Sequence, residues 1–145
     1  MTSKQIYEQT NNPYGFADST YQAAGQETGI RKLVNCFYDI MEANADYQTI
    51  RSWHPRNSAI SRDKLARFLC GWMGGPSLYM ERYGSINIPK AHQHLQVTES
   101  ERDQWLSCMK EALNRQDYPA PLIKYLHAQL SLPAEAIRLA CTGSK

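Results

Sequence analysis

The chain has 145 residues, 42% of them hydrophobic and 21% charged, with a formal net charge of +2 and an isoelectric point near 8.3. That length makes one domain, able to bury roughly 70% of its unfolded surface, enough for a core and one enclosed ligand. The mild charge, with no basic run or basic–aromatic stripe, argues against a nucleic-acid or anionic-membrane partner, and no apolar run is long enough to span a bilayer.

Residues 1–18 are polar, carry Asn11-Asn12-Pro13 and Gly15, and read as an N-terminal extension with a helical turn around Ile6-Tyr7. Residues 19–145 form the domain. The first twenty residues have no apolar signal-peptide core, which predicts a cytoplasmic protein. A short helix is expected over Ser19–Ala24, ended by Gly25. The next runs over Glu27–Ala43, with Ile30, Leu33, Val34, Phe37, Tyr38 and Met41 on one face. Tyr38 carries a hydroxyl into that face, and a buried tyrosine usually finds a hydrogen-bond partner. It is either a core tyrosine bonded to a carbonyl or a donor aimed at a ligand. A helical piece over Asp46–Trp53 ends at His54, because Pro55 drives the preceding residue out of helical geometry.

From about Ile60, Leu65, Phe68, Leu69 and Trp72 recur at i, i+3, i+4 and i+7, a helical apolar stripe, while Arg62, Asp63, Lys64 and Arg67 cover the other faces. Gly74-Gly75-Pro76 stops this helix. Residues 74–97 show no period yet carry Tyr79, Tyr83, Lys90, His92 and His94. A long irregular connection inside a small domain tends to be functional. Thr98-Glu99-Ser100-Glu101 then fits a capping box and opens a helix with Trp105, Cys108, Met109 and Ala112 on one face. Pro119 and Pro121 mark a break, and a last helix spans Leu122–Leu132. Pro133 is expected to break or kink it, with Ala134–Cys141 as a closing segment and a fraying tail. The four cysteines lie far apart and form no Cys-x-x-Cys pair, which argues against zinc or dithiol chemistry. They are read as buried apolar residues, with Cys141 the most exposed.

The string Phe68-Leu69-x-Gly71-Trp72-x-Gly74-Gly75-Pro76-x-Leu78-Tyr79-x-Glu81-Arg82-Tyr83-Gly84 resembles the group II truncated haemoglobins of bacteria and plants. So do Glu101-Arg102-Asp103-x-Trp105-Leu106-x-Cys108-Met109 and Leu33-Val34-x-x-Phe37-Tyr38. The resemblance spans about Tyr21 to Leu132. It implies an all-α truncated globin, a two-over-two helical sandwich around haem b. The family's proximal histidine lies nine residues before the Glu-Arg-Asp, which selects His92 over His94 as the iron ligand. On the distal side the resemblance places Tyr38, Trp105 and His54 as ligand-stabilising donors. His54 would bond ligand, water or Tyr38, or bind the iron itself. Phe37, Ser61, Leu65, Phe68 and Leu69 would line the pocket, with Ser61 small at the distal gate. Relatives usually carry Arg before the proximal histidine and Pro two residues after it, where this chain has Ala91 and His94. Lys64, Tyr79 and Lys90 are therefore the candidates for the haem propionates.

The resemblance thus implies a protein that binds O2, CO and NO. Several distal donors would make oxygen release slow and transport a poor use of the site. Redox chemistry on nitric oxide, peroxide or reactive nitrogen species, with a reductase partner, is left open, as is a peroxidase-like role for His54 as acid or base. Two other readings remain. In one, the chain is a non-haem helical module that binds a protein partner. In the other, it is a haem-based gas sensor, although no signalling domain is appended.

Overall fold

The computed structural model describes residues 13–143. The helical turn expected around Ile6-Tyr7, and the last two residues, lie outside the described residues. Eight α-helices are described: α1 (Ser19–Ala23), α2 (Gln26–Ala43), α3 (Gln48–Ser52), α4 (Ala59–Trp72), α5 (Leu78–Tyr83), α6 (Ile88–His92), α7 (Glu99–Asn114) and α8 (Ala120–Gly143). A 3-10 turn over Ala45–Tyr47 leads into α3. There is no strand among the described residues, and none of their helices is long and apolar enough to cross a membrane.

The pattern of packing is two helices over two. α2 lies against α4 and also against α7, and α7 lies against α8, which carries α6 on its C-terminal half. All six expected residues of the α2 stripe are buried. On α7, Cys108, Met109, Ala112 and Leu113 are fully buried, as are Leu122, Leu126 and Leu130 on α8. These faces form one continuous core. His127 on α8 adds a polar tie, its Nε2–H donating to the Leu106 carbonyl at 3.2 Å.

α4 departs from its expected stripe. Its fully buried residues are Ala66, Leu69 and Cys70, followed by Met73. Small side chains at 66 and 70 let α4 approach α2 closely. Leu65, Phe68 and Trp72 flank that contact, packed on the core along one edge and left half-exposed along the other. The glycine stop after α4 is needed for space as well as for its backbone conformation. Gly74 has φ +91°, and a β-carbon there would sit 2.0 Å from the Ala17 carbonyl oxygen. One at Gly75 would sit 2.5 Å from the Tyr21 ring. The segment carrying α1 thus lies directly on the end of α4, and the Tyr21 N–H donates to the Met73 carbonyl at 3.1 Å.

Three expectations are corrected. Residues 74–97 are not irregular throughout, because they hold α5 and α6, helices of six and five residues. Each is too short to show a period. Pro133 does not end α8, which runs on to Gly143. Residues buried on both sides of it, Leu130 and Cys141, hold the helix to the core and offset the bond that proline cannot donate. Cys141 is not the exposed cysteine. It is 5% exposed with its thiol on the His92 carbonyl, and Cys36 is the most accessible of the four. The Thr98 capping box is formed as expected: the Thr98 hydroxyl accepts from the Ser100 N–H, and the Glu101 carboxylate accepts from the Thr98 N–H at 2.9 Å.

Candidate functional site

His92 is the last residue of α6. Asn87 caps that helix by accepting the Lys90 N–H at 3.1 Å, and Pro89 in its first turn has no N–H to satisfy. The His92 Nδ1 lies 2.7 Å from the Ile88 carbonyl oxygen. A carbonyl can only accept, so Nδ1 carries the proton and Nε2 carries a lone pair, the tautomer of an axial ligand. Two groups hold the His92 backbone carbonyl: the Leu95 N–H at 3.0 Å and the Cys141 thiol at 3.3 Å. His94 is exposed.

Four other candidates are gathered into one aromatic cluster. The Phe37 ring lies edge-on to Tyr38 and to Trp105, with centroids 5.2 Å apart in each case. Tyr38 stands edge-on to His54 at 5.4 Å. Tyr38 is 4% exposed, and its hydroxyl makes no hydrogen bond to another described residue. Burial pushes that phenol up to about 12, so it remains a donor across the physiological range. His54 places Nδ1 2.9 Å from the Ile50 carbonyl, which again leaves Nε2 with the lone pair. Burial lowers the His54 pKa most, the Ile50 bond opposes this, and the positive charge of Arg51 adds to the lowering.

Of the expected lining, Leu69 is in the core, while Ser61, Leu65 and Phe68 are half-buried on α4. Lys64 and Tyr79 are brought together through Tyr83: the Lys64 Nζ lies 5.3 Å from the Tyr83 ring centroid, and the Tyr79 and Tyr83 rings are 5.2 Å apart. Lys90 is exposed on α6. The Tyr83 hydroxyl donates to Asp63 at 2.6 Å, and Arg31 and Arg67 also bind this carboxylate. The Tyr83 bond, more than the arginines, holds Asp63 below the usual carboxylate range.

Three residues that position the site carry no signal in the sequence. Tyr47 donates to Glu111 and meets the Ser107 hydroxyl at 3.1 Å, fastening the segment before His54 onto the helix of Trp105. Arg51 spans the carbonyls of His54, Pro55 and Arg56 and shapes the loop after α3. Arg62, on the polar face of α4, reaches over the Tyr38 ring. A separate open cleft of about 580 Å³, lined by Thr28, Lys32, Asn35 and Arg115 among others, holds none of the candidate residues.

The donor set suits a planar macrocycle better than a bare ion. Among the described residues no three His, Cys, Asp or Glu side chains converge to hold a metal. A porphyrin brings four nitrogen ligands of its own and asks the protein for one axial base, which His92 has ready. It also needs apolar surface to cover it, and Leu65, Phe68, Trp72 and Trp105 are large apolar residues left partly uncovered at the edge of the core. On those two observations the residues fit haem.

A model of the bacterial-like globin family matches residues 19–138. The chain is 30% identical over 117 residues to the group 2 truncated haemoglobin YjbI of Bacillus subtilis (strain 168), covering 81% of this chain and 86% of that one. Among solved structures, it is similar to a cold-adapted truncated haemoglobin from the Antarctic marine bacterium Pseudoalteromonas haloplanktis TAC125. The TM-score is 0.78 at 29% identity, over 81% of this chain and 95% of the other. It is also similar to a group II 2-on-2 haemoglobin from the plant pathogen Agrobacterium tumefaciens, with a TM-score of 0.77 at 28% identity over 82% and 92%.

Proposed function

The chain belongs to the bacterial-like globin family as a group II truncated haemoglobin, and on that footing we propose that it holds haem b through His92 and stabilises a dioxygen ligand through Tyr38 and Trp105, with His54 ordering these donors. Membership makes it a haem protein that binds small diatomic ligands. The observation that carries the finer reading is the His92 tautomer, fixed by the Ile88 carbonyl with its other nitrogen able to ligate.

Haem iron supplies reversible binding of O2, CO and NO when the cofactor is in place. His92 would hold the iron through its free ring nitrogen, and the Ile88 carbonyl orients its ring and raises its basicity. Tyr38 offers a hydroxyl that no other described residue occupies. The Trp105 indole can only donate, and it is held near Tyr38 through Phe37. His54 has its proton committed to Ile50, so its Nε2 suits accepting from the Tyr38 hydroxyl or from water, and orders the donors beside it. Donors in a water-poor pocket are each worth more than the roughly 1 kcal/mol of an exposed exchange. Such a site keeps dioxygen long enough to spend it on chemistry. The reading is therefore consumption of nitric oxide, peroxide or reactive nitrogen species, with a reductase supplying electrons, rather than transport. Lys64 and Tyr79 are the side chains offered to a propionate, with Lys90 on the α6 side.

The test is titration of the purified protein with hemin, then reduction and exposure to carbon monoxide. The reading requires saturation at one haem per chain and a Soret band that moves with carbon monoxide. A chain that gains no Soret band would be a helical module with another use.

A further inference from the structure

Arg62 lies in the second turn of α4, one residue past Ser61. On helical periodicity alone it belongs to the solvent-facing side. Its surroundings are those of a fixed group. Nε donates to the Ser58 hydroxyl at 2.9 Å, one terminal nitrogen to the Asn35 carbonyl at 3.2 Å, and the other to Asp39 at 2.8 Å and Glu42 at 3.1 Å. Ser58 is itself buried, 7% exposed, and donates to Glu42 at 2.9 Å, so the partners are tied to one another. Three of the four sit on α2, along the turns on either side of Tyr38. With its fork held in this way, the guanidinium carbon stands 5.6 Å from the centre of the Tyr38 ring.

The Tyr38 ring therefore packs near-perpendicular to Phe37 and to His54 and has a cation over it. We propose that Arg62 is a positioning residue for ligand binding: it clamps α4 to α2, fixes the Tyr38 ring from outside the pocket, and draws electron density from the ring so that the hydroxyl donates more strongly. A cation over an aromatic face is attracted by the electron-rich ring, and a guanidinium bonded on all sides cannot swing away to solvent. Arg62 touches neither haem nor ligand. It acts only through Tyr38, so the inference rests on the assignment of Tyr38 as a ligand donor.

A double-mutant cycle on the haem-loaded protein tests it. Oxygen off-rates and the C–O stretching frequency of the carbon monoxide complex are measured for wild type, Arg62→Met, Tyr38→Phe and the double variant. Arg62→Met should speed oxygen release about two- to fivefold and raise the C–O frequency, because the positive field at the ligand weakens. In the Tyr38→Phe background the same change should have no further effect. Arg62→Lys keeps a cation at that place with fewer donors, disturbs the fold less, and should give a smaller shift in the same cycle. Equal acceleration by Arg62→Met with and without the Tyr38 hydroxyl would overturn the inference, as would a silent Arg62→Met when Tyr38→Phe itself speeds release. A Tyr38→Phe protein with the wild-type off-rate would remove the Tyr38 assignment, and this inference with it.

Discussion

Replacing Tyr38 by Phe separates ligand stabilisation from fold stability, because the hydroxyl has no described partner in the protein. The ring contacts with Phe37, His54 and the Arg62 cation all survive the change. No hydrogen bond to a described residue is lost, so folding stability should move by less than about 1 kcal/mol. A bound diatomic ligand with partial negative charge loses one donor in a low-dielectric pocket. That bond lies between a neutral and a charge-assisted one, about 1.4–2.7 kcal/mol, which is roughly 10- to 100-fold in rate. The assay is stopped-flow oxygen release from the reduced, haem-loaded protein, trapped with carbon monoxide, beside a urea titration of the same variant. Release within about twofold of wild type would refute the reasoning. A large loss of folding stability would show that the hydroxyl serves the protein and not the ligand.

Tyr47→Phe should do the opposite. It strips a half-buried network of its central hydroxyl and leaves Glu111 and Ser107 short of a partner, at about 1–2 kcal/mol by urea unfolding; an unchanged unfolding midpoint would count against that clamp. Gly74→Ala places a side chain at positive φ and against the Ala17 carbonyl, and should lower the thermal midpoint by an amount matching at least about 1–3 kcal/mol. Glu135 is held down to about 2, first by Arg138 and then by Arg102, from an ordinary value near 4.5. A depressed carboxylate stabilises the fold above the unfolded value and loses that contribution as pH falls. The gap in thermal midpoint between wild type and Glu135→Gln should therefore close from about pH 4.5 down to about pH 2. A gap that stays constant over that range would show that the pairing is not linked to folding.

The long helices were legible because their signals are local and repeated. The α2 stripe, the Thr98 capping box and the glycine stop after Trp72 each follow from side-chain period or backbone conformation, and each is present. What escaped needs knowledge of neighbours. α5 and α6 hold fewer than two turns, so no period could announce them. A break or kink is the local expectation at Pro133 because a proline costs an interior helix about 3 kcal/mol, and only the burial of Leu130 and Cys141 on either side shows why α8 continues through it. The apolar stripe of α4 was found, but not its division into a core face at Ala66, Leu69 and Cys70 and an uncovered flank at Leu65, Phe68 and Trp72. That division is the more informative fact, since large apolar residues left half-covered at the edge of the core are what a flat cofactor would cover. Arg62 and Tyr47 were invisible for the same reason, because their partners lie 20 or more residues away in sequence.

Haem binding rests on His92. The most direct test is the visible absorption spectrum of His92→Gly, reduced and with carbon monoxide, before and after addition of free imidazole. Loss of the wild-type spectrum, with its return when imidazole fills the space, is the predicted result. A His92→Gly protein with unchanged spectra and unchanged haem content would contradict the assignment and move the iron to another ligand.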